Sequence, residues 1–371
     1  MKNKIHKYDF LIIGAGLIGA LTALELFRKN YKVLVIEKTK YPLRDNRTLA
    51  VNANSRDFLN SLGLWKTLQQ EPIEKIIISE QTTDNKLDFT AKNESMGSVV
   101  YNRELLHQAI HKLKKHHLLI QGINVSMNKI EDTQNIKIKN KFYSFKKIII
   151  STGKHRLQNK NIKETYFPSG HCSYVGFYSH TLDHNNHAYE IFTNKGPLAV
   201  LPAPAENKKL STFIYSSKSP ITDNQIKNLI KDNFSKMHGK IFFKKGIFKF
   251  NISPHLSRSR HENLILLGDS LRSIHPVAGQ GWNLGVKDII ALSDILDRYA
   301  VEDASWIEIY YAKRLFESSA YLSFTNLINL FFEKETPLTQ FSTNFIFKTL
   351  QLFPLLKKTF ISQAMGRLNL I

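Results

Sequence analysis

Six residues, Gly14-Ala15-Gly16-Leu17-Ile18-Gly19, constrain this chain more than any others. They lie between the short apolar run Tyr8–Ile13 and a segment, Leu17–Arg28, whose apolar residues recur at helical spacing. A further apolar run, Lys32–Ile36, ends at Glu37. Strand, glycine turn, helix and strand in that order form a βαβ unit. Within it Gly14 permits the tight turn, Gly16 lets the main chain approach a pyrophosphate, and Gly19 lets helix and strand pack closely. The helix start adds free N–H groups and the positive end of its dipole. Glu37 can accept both hydroxyls of an adenosine ribose, which stands against a 2′-phosphate there. The pattern asks for a dinucleotide without choosing between nicotinamide and flavin.

A second segment makes that choice. Leu266-Leu267-Gly268-Asp269-Ser270 reads as a strand delivering a carboxylate into a turn. Ile274-His275-Pro276-Val277-Ala278-Gly279-Gln280-Gly281-Trp282-Asn283-Leu284-Gly285 then opens a helix predicted over Gly285–Tyr299. A carboxylate at Asp269 can bind ribityl hydroxyls, and the small residues Ala278, Gly279 and Gly281 let N–H groups approach a pyrophosphate and a pyrimidine edge. A nicotinamide dinucleotide has no ribityl chain to need them. The expected cofactor is therefore FAD, held by Gly14, Gly16, Leu17, Ile18, Gly19, Glu37, Gly268, Asp269, Pro276, Ala278, Gly279, Gln280, Gly281, Asn283 and Leu284.

Between the two segments the texture changes. Helices are predicted at Asn54–Leu62, closed by Gly63, and at Asn102–His116, with strands at Ile73–Glu80, Leu87–Thr90 and Phe142–Ser151, the last delivering Gly153. From Cys172 to Phe250, β-branched and aromatic runs such as Tyr189–Thr193, Leu198–Leu201 and Thr212–Tyr215 predict an antiparallel sheet. Asn263–Leu267 reads as a buried strand, and Trp306–Ala364 as helical with breaks at Pro337 and Pro354. The expected fold is α/β: a Rossmann-like FAD-binding domain over 1–72, 96–160 and 255–305, an inserted, mainly antiparallel β-sheet substrate domain over 73–95 and 161–254, and a helical C-terminus over 306–371.

Composition narrows the function. A lone Cys172 offers neither an internal disulfide nor a CxxC pair, so redox chemistry must come from a bound cofactor. No apolar run reaches the roughly 20 residues needed to span a bilayer, and the charged start Met1–Asp9 is unlike a signal peptide, so a cytoplasmic protein is expected. A net charge of +21 favours anionic partners. Lysine is spread through the whole chain, loops such as Lys137–Lys147 included, as biased base composition would produce, so nucleic acid is not an expected partner, whereas a membrane surface is. His111, His116 and His117 have no carboxylate or cysteine at ligand spacing, and no metal is expected.

The two glycine segments, together with YEIFTNKGPLAVLP at Tyr189–Pro202, resemble the flavin-dependent aromatic hydroxylases of ubiquinone biosynthesis, relatives of para-hydroxybenzoate hydroxylase. The resemblance runs nearly end to end: HPVAGQGWNLGVKD is its most specific stretch, YYAKRLFESSAYLSFTNLINLFF adds to it, and residues 203–250 match least. It implies an FAD-dependent monooxygenase that hydroxylates the ring of a polyprenylated phenol or quinone precursor through a flavin C4a-hydroperoxide, with O2 as co-substrate and NAD(P)H as electron donor. It also places Arg47, in RTLAVNANSRDFLNSLGLW, and Arg103, in YNRELLHQAI, near the flavin. The flavin carries the chemistry, so no side-chain nucleophile is required; His275 and Pro276 are candidates only, as residues orienting the flavin turn.

Two departures accompany the resemblance. Ser151-Thr152-Gly153 stands where relatives carry an Asp-Gly pair associated with flavin and reduced nicotinamide, and Ser270-Leu271-Arg272 brings bulk where they prefer alanine. An isoprenoid reductase of the same fold, such as a geranylgeranyl-reductase-like enzyme, and a catalytically quiet flavoprotein scaffolding a ubiquinone-biosynthesis complex therefore remain open. Phe324, Leu327, Ile328, Phe331 and Phe332, then Phe345, Phe347, Leu350, Leu352 and Phe353 with Lys348, Lys357 and Lys358, could pack on the flavin domain or meet the inner face of the membrane.

Overall fold

A computed structural model describes residues 5–40, 47–81, 86–91, 94–125, 135–138, 140–154, 159–167, 171–193, 195–244, 246–274 and 280–333. The first sheet is assembled from the apolar runs on either side of the glycine turn. Its order is β19 (Leu264–Leu266), β10 (Lys141–Ile150), β1 (Ile5–Ile13), β2 (Val33–Glu37) and β8 (Leu119–Gln121), all parallel, with β9 (Asn135–Ile138) antiparallel on β10. Parallel strands covered on both faces read as unbroken apolar runs, and Phe10–Ile12, Val33–Ile36 and Ile148–Ile150 are accordingly buried throughout. Helix α1 (Leu17–Arg28) packs against α3 (Asn102–Lys115) and α5 (Gln280–Leu296).

Two small sheets flank it. β3 (Thr48–Asn52) and β4 (Gln70–Ile73) both pair antiparallel with β7 (Gly97–Tyr101), and α2 (Ala53–Ser61) follows β3, its N-terminus capped where Asn52 accepts from the Ser55 N–H at 2.9 Å. β11 (Ile162–Tyr166), expected with the substrate sheet, pairs instead with β18 (His255–Ser259), which also pairs with β20 (Arg272–Ser273).

The second large sheet has the order β16 (Ile241–Phe243), β12 (Cys172–His180), β15 (Leu210–Ser217), β14 (Gly196–Pro202), β13 (His187–Thr193), β5 (Lys75–Glu80) and β6 (Lys86–Thr90), with β17 (Phe248–Asn251) also on β12. All its pairings are antiparallel except β13 with β5, which run parallel. The stretch expected as a mainly antiparallel sheet also contains a helix that the sequence reading did not place, α4 (Asp223–His238). Its start is written in the sequence: the Thr222 hydroxyl accepts from the Gln225 N–H and the Gln225 amide oxygen accepts from the Thr222 N–H, a capping box. Ile226, Ile230 and Phe234, at helical spacing, bury that helix on Tyr174 and Tyr178 of β12. At its end His238 receives or gives a 2.9 Å hydrogen bond with the Tyr178 hydroxyl and stacks on His180 at 4.4 Å.

Helix α6 (Ser305–Glu333) realises the first part of the predicted C-terminal helix. Phe345, Phe347, Leu350, Leu352, Phe353 and the lysines among them lie outside the described residues, as do the side chains of Phe324, Leu327, Ile328, Phe331 and Phe332.

Candidate functional site

The first turn is closed by contacts that only glycine allows. Gly14 has φ 99°, and a Cβ there would stand 2.6 Å from the Ser151 carbonyl oxygen. At Gly19 a Cβ would stand 2.0 Å from the Gly14 oxygen and 2.3 Å from Ser151 Oγ. The turn, α1 and the end of β10 are thus in direct contact. Gly16 is different: a Cβ there meets nothing within 4 Å. Gly16 is also the N-cap of α1, and no side chain caps that helix. The first N–H groups of α1 have no intrahelical acceptor and face this open place, which fits a phosphate.

Glu37 sits at the rim, buried, at the end of β2. Its Oε2 accepts from the Ala15 N–H at 2.7 Å, and its Oε1 from the Thr39 N–H at 2.9 Å and the Thr39 hydroxyl at 2.7 Å. Carboxylate oxygens accept more than one hydrogen bond, so capacity for ribose hydroxyls remains while these donors fix the side chain's orientation.

The second turn leaves β19 at Gly268, φ 59°. Asp269 is half-buried; its carbonyl accepts from His255 Nε2 at 3.0 Å, and its carboxylate is engaged by no described residue. Ile18 joins the two turns. A Cβ at Gly285 would stand 2.6 Å from Ile18 Cδ1, and one at Gly268 3.1 Å from Ile18 Cγ1. The first turn of α1 therefore leans directly on the Gly268 turn and on the first turns of α5. At the start of α5 Gly281 has open space where a Cβ would stand, and Trp282 Nε1 is buried with no hydrogen-bond partner among the described residues. An uncapped helix start, two glycines facing open space, a disengaged carboxylate and an orphaned indole N–H suit a phosphate-bearing cofactor with hydroxyl groups.

The Ser151-Thr152-Gly153 step bridges the turns from below. Ser151 Oγ donates to the Ile13 and Gly14 carbonyls at 3.1 and 2.9 Å, Thr152 Oγ1 lies 3.5 Å from Ser270 Oγ, and Ser270 Oγ donates to the Gly153 carbonyl at 3.4 Å. Neutral hydroxyls knit the main chain together at this step.

Arg272, which the sequence shows only as unusual bulk, belongs to a buried charged cluster centred on Asp288. Its Nη2 donates to the Leu284 carbonyl at 2.7 Å and to Asp288 Oδ1 at 2.8 Å. Arg314 of α6 donates from Nε to the same Asp288 oxygen at 2.7 Å and from Nη1 to Glu317 at 2.6 Å. Asp288 Oδ2 accepts from the Gly268 N–H at 2.9 Å. Burial pulls the Arg314 pKa down, and the Asp288 and Glu317 carboxylates outweigh it, leaving the guanidinium more basic than usual. The second turn is thus held from behind by charge. Asp288, Arg314 and Glu317 were missed as site residues; Lys287 stands beside Asp288 and Lys313 beside Arg314, so nothing in the sequence sets the buried charges apart from their charged neighbours.

The remaining expected residues divide. Asn283 is buried and clasps α5 to β3: its Nδ2 donates to the Ala50 carbonyl at 2.9 Å and its Oδ1 accepts from the Asn52 N–H at 3.2 Å. The Leu284 carbonyl is taken by Arg272, and Leu17 is packed in the core. Arg47 and Arg103 come together, because the Arg47 carbonyl accepts from the Asn102 N–H at 2.9 Å; both side chains are exposed, and the Arg47 guanidinium lies 5.2 Å over the Phe250 ring. His275, Pro276, Ala278 and Gly279 lie outside the described residues, as does the Gln280 side chain.

The sequence pattern of the FAD binding domain family matches residues 7–129 and 177–322. The 3-demethoxyubiquinol 3-hydroxylase of Escherichia coli K12 is 24% identical over 388 residues, covering 96% of this chain and 98% of that one. Ubiquinone hydroxylase UbiL of Rhodospirillum rubrum is 25% identical over 393 residues, covering 98% and 90%. The crystal structure of p-nitrophenol 4-monooxygenase PnpA from Pseudomonas putida DLL-E4 has the same fold, with a TM-score of 0.75 at 13% identity over 97% of this chain and 99% of that one.

Proposed function

The chain belongs to the FAD binding domain family and is an FAD-dependent monooxygenase, and from that premise we propose that it hydroxylates the aromatic ring of a polyprenylated phenol on the way to ubiquinone. The observation that carries the reading is the contact of Ile18 with both Gly268 and Gly285, which brings the open phosphate cradle at Gly16 and the disengaged Asp269 carboxylate into one site. Bound FAD, reduced by NAD(P)H, supplies activation of O2, so that one oxygen atom enters the ring and the other leaves as water.

The chain's own residues bind and shelter. The first N–H groups of α1 hold the phosphates, Glu37 accepts the ribose hydroxyls and Asp269 the ribityl hydroxyls. Arg47 and Arg103 bring positive charge to the rim. Across from them, the Tyr101 hydroxyl donates to the Pro204 carbonyl at 2.9 Å and the Tyr101 ring lies 6.4 Å from Phe177, joining the flavin side to the apolar face of the large sheet. On this reading residues 73–95 and 161–254, without β11, form the substrate-facing part and exclude water from the ring. Ser151 and Thr152 take the place of the relatives' acid without supplying a charge, and their hydroxyls are turned to the main chain and to Ser270.

Such a substrate is dissolved in the bilayer, so the enzyme works at the cytoplasmic face of the membrane, within reach of other ubiquinone-biosynthesis proteins; no helix among the described residues is long and apolar enough to cross it. The test is direct. NADPH or NADH added without oxygen should bleach the visible flavin absorbance, and readmitted O2 with a prenylated phenol should give a product heavier by one oxygen atom. Protein that holds FAD, stays oxidised with both nucleotides and makes no product even when chemically reduced is the scaffold that the missing acid at Ser151-Thr152-Gly153 also allows. Asp269→Ala should lose flavin while keeping its far-ultraviolet circular dichroism; equal flavin content in variant and parent would remove Asp269 from the site.

A further inference from the structure

We infer that the free edge of the large sheet, β16 and β17, docks the enzyme onto an anionic bilayer. Both strands pair with the same edge of β12, in the registers Ser179↔Phe242, Tyr178↔Phe243, Val175↔Phe248 and Ser173↔Phe250. Side chains alternate across a sheet, so Phe243 falls on the face of Tyr174 and Tyr178, where α4 covers it. Phe242, Phe248 and Phe250 fall on the opposite face. Their exposures are 56%, 50% and 37%, so three phenylalanine rings stand in solvent on one face of one edge. Edge strands are usually blunted by lysine, proline or brevity; nothing in that protection calls for exposed aromatic rings.

Charge identifies the occupant. Lys240–Asn251 carries four lysines and no carboxylate. Lys240 and Lys244 bracket β16 in solvent; Lys249, between the two β17 phenylalanines in sequence, is exposed but pairs with Tyr174 and so falls on the other face, its Nζ 5.9 Å from the Tyr174 ring. Apolar rings flanked by ammonium groups on long stems match the bilayer interface, where rings enter the headgroup region and lysines meet anionic lipid.

Position connects this edge to the site. Phe250 lies under the Arg47 guanidinium, Arg47 is bonded to Asn102 beside Arg103, and Phe177, on the same sheet face as the exposed phenylalanines, lies against Tyr101. An apolar molecule leaving the bilayer along this face reaches the rim of the candidate flavin site without crossing water. This use of the surface rests on the hydroxylase reading above; the docking itself does not.

The experiment is co-sedimentation of the flavin-loaded, full-length protein with vesicles of phosphatidylglycerol and phosphatidylcholine, and with phosphatidylcholine alone. The parent should bind the anionic vesicles, less as salt is raised. Phe242→Ser/Phe248→Ser should bind at least about tenfold more weakly, with flavin content and reduction by NADPH unchanged. Lys240→Glu/Lys244→Glu should lose the preference for anionic lipid. Should the serine variant fail to fold, Phe242→Trp should show a blue-shifted emission on vesicle addition. Equal binding by parent and serine variant, or binding removed by truncation after Pro337 and untouched by the edge substitutions, would overturn the inference. Loss of an oligonucleotide complex in the same variants, without vesicle binding by the parent, would overturn it equally. A failed hydroxylase reading shows separately, as absent flavin reduction with vesicle binding intact.

Discussion

The Gly14 and Gly268 turns meet at Ile18 yet are secured by opposite means. At Gly14 the parts are main chain and absence: positions where a Cβ would collide with the Ser151 carbonyl or the Gly14 oxygen, one carboxylate on the Ala15 N–H, and a serine hydroxyl. At Gly268 the anchor is Asp288, buried between Arg272 and Arg314, so the turn depends on α5 and α6 being in place. A turn secured by sterics is local and self-sufficient. One secured by buried charge is conditional, because removing one partner leaves the others desolvated and unpaired.

Four substitutions or conditions test that contrast, in descending size of effect on stability. Gly19→Val should be the most damaging, costing more than about 4 kcal/mol or yielding no soluble protein, since its Cβ would meet main chain at 2.0 Å; parent-like urea denaturation would show that the first turn is not sterically closed. Asp288→Ala should cost about 3–5 kcal/mol and release flavin. Combining it with Arg272→Met and Arg314→Met should recover much of that loss, and no recovery would mean the charges are not one unit.

Acid provides the third test, because it reaches the large sheet and leaves both turns aside. Burial, reinforced by the neighbouring His180, holds the pKa of His184 down at about 4 and that of His238 at about 3, and burial lowers His180 as well. These imidazoles stay neutral in the folded protein, while the unfolded chain takes up protons below about pH 6.5. The unfolded state then binds more protons, so stability is fully present above that pH and falls as pH drops towards 4, by about 1.4 kcal/mol per pH unit for each histidine held neutral. Melting temperatures at pH 7.5 and pH 5.5 check the sign; a flat profile would show the histidines free to ionise in place. Gly16→Ala should do least to stability, within about 1 kcal/mol given its open surroundings, yet weaken FAD retention by at least about tenfold where the pyrophosphate must pass. Unchanged flavin affinity would move the phosphates away from α1.

The same contrast explains what could be read in advance. The first turn was legible because each of its requirements is a residue type within one βαβ stretch, and the Gly268 strand and turn were legible for the same reason. The anchor behind Gly268 was not, because Arg272, Asp288 and Arg314 acquire meaning only when α6 packs against α5. The clasp of Asn283, expected among the cofactor-holding residues, on β3 was not legible either, because its hydrogen-bond partner lies far away in sequence. Helix α4 was hidden differently: its Thr222–Gln225 capping box was present, but the aromatic runs on both sides outweighed it. The exposed phenylalanines of β16 and β17 looked like ordinary strand residues until pairing with β12 fixed which face each one occupies.

The single parallel pairing in the large sheet bears on how the chain assembles. Strand β5 finds its second neighbour only at β13, with Lys75 opposite His187 and Glu80 opposite Phe192, and three strands of the first sheet, β8, β9 and β10, are threaded between them. During synthesis the hairpin of β5 and β6 must wait, one edge unsatisfied, until the ribosome has released the strands that follow β12. The two halves therefore cannot mature as independent modules, and an interruption anywhere from α3 to β12 should leave an adhesive strand seeking some other edge.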